Sequence, residues 1–260
     1  MIERDTVHHA DIFDLCAQLD AGSVDMILAD LPYGTTACAW DTVIPFEPMW
    51  AAFRRIIKPR GAIVLTASQP FTSALVMSWP RGFKYQWYWL KPRPTGFSHA
   101  ENMPLKDVED VLAFSHGAIG HAHLVPNRMN FYPQGLQSFG KLNRRISKGF
   151  SGTMERASQS NVYITEFTNY PRMTLRFNGE TGLHPTQKPV ALFAYLIRTY
   201  TQPGELVFDP VAGSGTTAVA ARETGRHYIV GDSSAEYVAV MRERLAKPYT
   251  LPMLELEAQS

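Results

Sequence analysis

Two stretches of this chain, far apart in sequence, join residues able to do chemistry to turns able to expose them. The later one is Phe208-Asp209-Pro210-Val211-Ala212-Gly213-Ser214-Gly215-Thr216-Thr217. A short apolar run, Leu206 to Phe208, stops at an acid and opens into a glycine loop, and Thr217 to Glu223 reads as the helix that follows. Glycine lets a ligand approach the main chain, while a helix start offers unpaired amide donors and a partial positive charge. A carboxylate or a phosphate can rest there. Because Gly215 is followed by Thr216 rather than by a lysine, the loop is not that of a nucleoside triphosphate enzyme. A second strand, His227 to Gly231, ends at Asp232, roughly twenty residues beyond the glycines, where an acid in such units grips ribose hydroxyls. The pair suits a nucleoside; the plain alternative is an ordinary strand-turn-helix.

The earlier stretch is Asp30-Leu31-Pro32-Tyr33, directly after the strand Val24 to Ala29. It sets an acid, a proline-stiffened main chain and an aromatic ring at the carboxyl end of a strand, where open α/β sheets hold their ligands. Around it, Thr6 to His9 reads as a strand leading to Asp11, and Ile12 to Leu19 as a helix with a stripe of Ile12, Leu15, Cys16 and Leu19. Pro45 to Ile57 and Phe71 to Met77 read as helices, and Ala62 to Thr66, Tyr85 to Leu90 and Val108 to Phe114 as strands. After Asp232 only one helix, about Ala235 to Leu245, and a polar tail remain. A doubly wound sheet usually begins with its glycine loop, so the rest of this sheet must come from upstream. The expectation is a circularly permuted, Rossmann-like α/β fold whose two chemical stretches share one crevice.

At 260 residues the chain can bury a full core as one large α/β domain with an insertion. Its formal charge of +1 excludes wholesale basicity, so any nucleic acid must be met by a local patch. Cys16 and Cys38 make neither a disulfide framework nor a zinc site, and His116, His121 and His123 lack a fourth ligand, so no metal is expected. The start, Met1 to Asp5, has no signal-peptide core and no apolar run reaches membrane-spanning length, which makes the cytoplasm the expected location.

In its motifs the sequence resembles the amino-methylating (adenine-N6 and cytosine-N4) DNA methyltransferases, specifically the permuted β-class group whose catalytic motif precedes its cofactor motif. Their Asp-Pro-Pro-Tyr signature corresponds to Asp30-Leu31-Pro32-Tyr33, and their glycine-rich cofactor loop to Phe208 to Gly215. Further matches are Ser23-Val24-Asp25, Trp87 to Lys91 with Gly96-Phe97, and His184-Pro185-Thr186-Gln187-Lys188-Pro189. The resemblance implies an S-adenosylmethionine-dependent methyltransferase sheet with helices on both faces, acting on double-stranded DNA. It implies that the Asp30 carboxylate and a main-chain carbonyl in Leu31-Pro32 accept hydrogen bonds from the target amine, stabilising the charge that grows on nitrogen. Tyr33 would stack on the base, which must first flip out of the duplex at a few kcal/mol. The family usually has proline where Leu31 stands; the carbonyl is kept. Aspartate at position 30 favours adenine, since many cytosine-amine enzymes of the family have serine there.

By the same resemblance Asp209, Pro210, Gly213, Ser214, Gly215, Thr216 and Thr217 hold the methionine end of S-adenosylmethionine. Asp232 holds the ribose, Asp11 meets the adenine ring, and Thr186 and Lys188 line the cofactor pocket, with a solvated helix cap as the plain alternative for the last two. The chain then divides into a catalytic half (1–115), an inserted, loop-rich target-recognition region (116–181), a cofactor half (182–247) and a tail (248–260). In the insertion Lys141, Arg144, Arg145 and Lys148, interleaved with Phe139 and Phe150, are expected to meet DNA phosphates. Tyr85, Trp87 and Trp89 alternate along a strand and are expected to pack one face. Dimers occur in the family, which makes a homodimer the assembly to look for. Three other readings stay open: the same chemistry on cytosine, methylation of RNA, and a cofactor- and DNA-binding protein without catalysis.

Overall fold

The structure, a computed structural model, describes residues 2–34, 42–121, 124–144, 162–179 and 187–247. In chain order its elements are β1 (Thr6–His9), α1 (Ile12–Ala17), β2 (Val24–Ala29), α2 (Phe46–Ile56), β3 (Ile57–Ala67), α3 (Phe71–Ser78), β4 (Phe83–Thr95) and β5 (Lys106–Phe114). Then follow β6 (Gln137–Arg144), β7 (Val162–Thr168), β8 (Thr174–Arg176), α4 (Val190–Tyr200), β9 (Leu206–Asp209), α5 (Thr216–Glu223), β10 (His227–Asp232) and α6 (Ala235–Ala246). No described helix is long and apolar enough to cross a membrane.

Every residue of β2 is buried, as a strand covered on both faces requires. It lies inside an eight-stranded sheet of order β1-β10-β9-β2-β3-β5-β4-β8. The first five of these strands are parallel to their neighbours, β5 runs antiparallel to β3 and β4, and β8 is parallel to β4. Strands from the end of the chain, β9 and β10, thus sit between β1 and β2 from its beginning. Asp25 bonds this junction: its buried carboxylate accepts the Leu206 amide of β9 at 3.0 Å and the Lys58 ammonium of β3 at 2.6 Å.

Alternation along the strands sends residues to two layers. Met26, Leu28, Val64, Val111, Val207 and Val230 pack one way, against Leu192, Phe193 and Leu196 of α4, Ala220 of α5 and Met241 of α6. Ile27, Ile63, Leu65, Leu112, Phe208 and Ile229 pack the other way, against Leu15 of α1, Met49, Trp50 and Phe53 of α2, and Leu75 of α3. Trp87 and Trp89 are both buried on the first face, with Tyr85 packed beside them, as their spacing predicts. The Trp87 indole donates to the Tyr200 hydroxyl at 2.7 Å, which locks α4 onto β4.

Residues 133–172 form a second compact unit. Its core is an antiparallel pair, β6 with β7, running from Gln137 opposite Thr168 to Arg144 opposite Val162, with a register shift between Ser138 and Lys141. Asn143 donates to Thr165 across the pair at 2.7 Å, and Asn169, with φ of 60°, donates to the Gly135 carbonyl at 2.7 Å. The span 116–181 therefore contains regular strands where the sequence suggests only loop. The run Val162 to Phe167 is rich in β-branched and aromatic residues, which suit a strand, but its flanks are rich in Gly, Ser and Asn, which suit a turn. Residues to either side of this unit pack elsewhere: Met129 and Leu175 belong to the core of the larger unit, and the Tyr132 amide donates to Thr199 at 2.7 Å.

Candidate active site

In a parallel sheet neighbouring strands end along one edge, so residues just past their carboxyl ends meet there. His9 pairs with Asp232, Val230 with Asp209, Ile27 with Phe208 and Ala29 with Leu65. This register carries four acids to the same edge: Asp11 after β1, Asp232 ending β10, Asp209 ending β9, and Asp30 after β2. All four line one cleft of about 1540 Å³. That is more than one drug-sized ligand needs, and enough for two reactants side by side.

On the β9 and β10 side the acids are held by main-chain donors. Asp232 accepts from the Gly213 amide at 3.0 Å and the Ser234 amide at 2.8 Å, so one carboxylate ties the glycine turn to the start of α6. Asp11 caps α1, accepting from the Phe13 amide at 2.7 Å. Asp209 is 2% exposed and accepts from the Val211 amide at 3.1 Å and the Thr217 hydroxyl at 2.5 Å. Burial opposes its charge and pushes its carboxyl up to about 7, despite those two bonds. Gly213, Ser214, Thr216 and Thr217 line the cleft with Pro210. Gly215 plays a different part. It starts α5 with φ of 81°, and a Cβ on it would lie 2.8 Å from Cγ of Met241 in α6. Its freedom serves the close packing of α6 behind the turn.

On the β2 side the acid is held by side chains from several strands. Asp30 Oδ1 accepts from the Tyr33 hydroxyl at 2.7 Å and from the Thr66 hydroxyl of β3. Its Oδ2 accepts from the Lys188 ammonium at 2.7 Å. Lys188, just before α4, is buried and also meets Glu109 of β5 at 2.8 Å. Glu109 is buried too, pairs with Lys91 of β4 at 2.6 Å, and accepts from the Tyr33 hydroxyl at 3.2 Å. Tyr33 stacks on Phe71 with ring centroids 5.2 Å apart. Leu31 is 3% exposed and packs into the core beneath. Its buried side chain anchors the main chain at a position where a proline ring would stiffen it.

The charges here are mutually sustaining. Burial disfavours the Lys188 ammonium, but Asp30 and Glu109 outweigh this and hold its pKa above the ordinary lysine range. Burial likewise opposes the Glu109 carboxylate, and Lys188 and Lys91 outweigh it to hold the group below its usual value. Burial, followed by the negative charges of Asp30 and Glu109, pushes the Tyr33 hydroxyl well up, so it stays a donor at neutral pH.

The sequence-selected residues on the larger unit thus converge: Asp11, Asp30, Leu31, Pro32, Tyr33, Lys188, Asp209 and Asp232 line the cleft with the glycine loop. Lys188 lines the cleft with the glycine turn, and its ammonium lies on Asp30. The link between the two sides runs through its main chain, whose carbonyl accepts from the Thr216 hydroxyl at 3.4 Å. Thr186, Arg145 and Lys148 lie outside the described residues, as does the Arg144 side chain. Lys141 sits exposed on β6 with its ammonium 6.0 Å from the Phe139 ring centre. Among the described residues no group of three or more His, Cys, Asp and Glu is arranged to hold a metal. Glu109 and Thr66 are functional candidates that the motifs do not reveal. Glu109 did leave a trace, an acid in step with Val111 and Ala113 on a buried strand face.

Comparison with known proteins agrees with this geometry. The DNA methylase family model matches residues 24–243. The Type II methyltransferase M1.MboII of Moraxella bovis is 25% identical over 252 residues, covering 92% of this chain and 95% of that protein. The crystal structure of the M1.HpyAVI complex with SAM is 24% identical and superposes with a TM-score of 0.58 over 92% of this chain and 98% of the other. The cytosine-N4-specific PvuII DNA methyltransferase is 16% identical, with a TM-score of 0.64 over 96% of this chain and 89% of its own. These two solved structures share the fold.

Proposed function

Because the chain belongs to the DNA methylase family, we propose that it methylates the exocyclic amine of a base flipped out of double-stranded DNA, with adenine N6 as the favoured target. The observation that carries this reading is the convergence of Asp30, Tyr33, the glycine turn and Asp232 on one cleft. The family covers methylation at both N6 and N4, and the aspartate at position 30 is what favours adenine. S-adenosylmethionine, the methyl donor, supplies an electrophilic methyl group when bound. The residues fit that donor: Asp232 and Asp11 suit hydroxyl and amine donors of a nucleoside, and the glycine turn before α5 suits a carboxylate. The late position of β9 and β10 within the sheet is in keeping with a permuted order of the motifs.

Each protein group then has a defined task. An aromatic amine is a poor nucleophile because its lone pair is delocalised into the ring. Asp30 and the main-chain carbonyl of Leu31-Pro32 accept its two hydrogens, favouring the pyramidal form and offsetting the positive charge that develops on nitrogen. The buried Leu31 side chain keeps that carbonyl in place, since misplacement by about 1 Å can cost 10²-fold in rate. Tyr33 offers its ring to the flipped base, and stacking of this kind returns about 1–3 kcal/mol against the cost of flipping. Lys141, Arg144, Arg145 and Lys148 meet phosphates, and the enzyme works in the cytoplasm, as a monomer or as a homodimer.

The test is transfer of labelled methyl from S-adenosylmethionine to duplex DNA, followed by nucleoside analysis and competition with structured RNA. N6-methyladenine is the expected product. N4-methylcytosine would move the assignment to the other amine, and preference for RNA would overturn it. In the same assay, replacing the four basic residues by alanine lowers DNA affinity for all sequences alike and flattens its salt dependence; an unchanged salt slope removes them from the interface.

A further inference from the structure

An ionised carboxylate accepts about four hydrogen bonds, two on each oxygen. Among the described residues Asp30 already receives three: Tyr33 and Thr66 on Oδ1, and Lys188 on Oδ2. One acceptor position is left, on Oδ2 beside the ammonium. Lys188 thus decides which oxygen meets the substrate. It also stands between two acids, with Asp30 Oδ2 at 2.7 Å and Glu109 Oε1 at 2.8 Å, while the Tyr33 hydroxyl touches the carboxylates of both.

We propose that Lys188, braced by Glu109, is a positioning residue for methyl transfer: it keeps Asp30 an ionised acceptor with a single open position for the target amine. This rests on the function proposed above and assigns parts to two residues that it leaves without one. A purely structural role explains the arrangement less well. A buried ammonium set between a buried carboxylate and one that is only partly exposed demands desolvation of at least two charges, and apolar residues of similar volume usually serve stability as well or better. The arrangement does have a use at Asp30. Filling the cleft with a base removes water from this carboxylate, which favours its protonated form. A protonated Asp30 would turn a donor toward the amine and lose its part in the reaction. The fixed charge of Lys188 opposes this at the moment it matters.

Among the described residues, the groups facing Asp30 are Tyr33 from its own turn, Thr66 from β3, Lys188 ahead of α4 and, through Tyr33 and Lys188, Glu109 of β5 with its partner Lys91 of β4. Asp209 of β9 also interacts with Asp30, but with its carboxyl pushed up to about 7 it is mostly neutral below that pH. Of these only Lys188 is a cation bonded to Asp30. Without it, Asp30 and Glu109 share one tyrosine hydroxyl as like charges, and one of them takes up a proton.

The experiment is an Asp30 titration in the free protein, followed by carboxyl-carbon NMR, beside the pH profile of single-turnover methyl transfer. In Lys188→Met the Asp30 midpoint moves up by about 1–3 pH units, and the acid limb of the rate profile moves with it. Transfer falls about 100-fold at two pH units below the new midpoint and recovers above it. Lys188→Arg restores the midpoint, and the double variant Lys188→Met/Glu109→Gln brings it back by about half or more, because the like charge is gone. Glu109→Gln alone keeps the cation and lowers the Asp30 midpoint; this arm decides the matter if Lys188→Met unfolds. An unmoved Asp30 titration in Lys188→Met overturns the proposal, as does a rate loss equal at every pH. Because the titration needs no substrate, an inactive wild-type protein with the expected shifts would count against the function and leave this inference standing.

Discussion

Asp232 and Asp30 line one cleft, yet they are held by opposite means. Asp232 is fixed by amides of the turn and helix beside it, within 19 residues of its own position. Asp30 is fixed by one side chain of its own turn, Tyr33, and by side chains 36 and 158 residues away, with Glu109 bracing two of its partners. The difference matches the two tasks proposed for them. A carboxylate that receives ribose hydroxyls needs only a stable place and can borrow backbone donors already present in the turn. A carboxylate that responds to charge developing on nitrogen needs a set potential, and that takes other charges at fixed distances.

The sharpest way to break this comparison is at Asp30. Asp30→Ala is expected to slow single-turnover methyl transfer about 10³-fold while cofactor affinity stays within about threefold of wild type. Full activity in that variant would defeat the proposed mechanism. Asp232→Ala is expected to show the reverse pattern. It removes the acceptor of two loop amides along with the ribose contact, so the cofactor Kd, measured by calorimetry, weakens roughly 10–100-fold while transfer at saturating cofactor changes little. Equal effects of the two variants on both quantities would erase the division between the sides.

A last effect, on stability, concerns Asp209, which sharpens the contrast because among the described residues it has hydrogen bonds but no cationic partner of the Lys188 kind. Its carboxyl lies near pH 7 in the folded protein against an ordinary value of 3.8, with burial the main cause. Between those values the folded protein keeps a proton that the unfolded chain has released. Stability from this group is therefore full below 3.8, declines as pH rises toward 7, and is flat above. Asp209→Asn cancels the decline. Its Tm relative to wild type should rise between pH 4 and 7 and then level off, by up to about ten degrees if the full shift is present. A difference independent of pH would show that the carboxylate is ionised throughout.

This contrast also explains what could be read from the amino-acid order. The parallel part of the fold was legible because β2, β9 and β10 are short apolar runs, each ending in an acid or a glycine turn. The Asp232 side was legible for the same reason: its partners are local, and spacing reports them. The environment of Asp30 was not, because Thr66, Glu109 and Lys188 come together only when β2, β3, β5 and the start of α4 are assembled. Glu109 sits in Lys106 to Phe114, a stretch whose four charged residues suggest a wet surface; only its two-residue step to Val111 and Ala113 betrays an inward side chain. Lys188 was found by motif, but its partner was not. The β6–β7 pair is hidden in the sequence because the strand propensity of Val162 to Thr168 lies between flanks full of turn formers.

Gly215 leads outward from the cleft. The space its missing side chain would need is taken by Met241, so the terminal helix serves as the mould against which the glycine turn is cast. A residue that does not itself line the cleft can thereby govern how well a ligand is held, and the boundary of the site is drawn by volume as much as by touch.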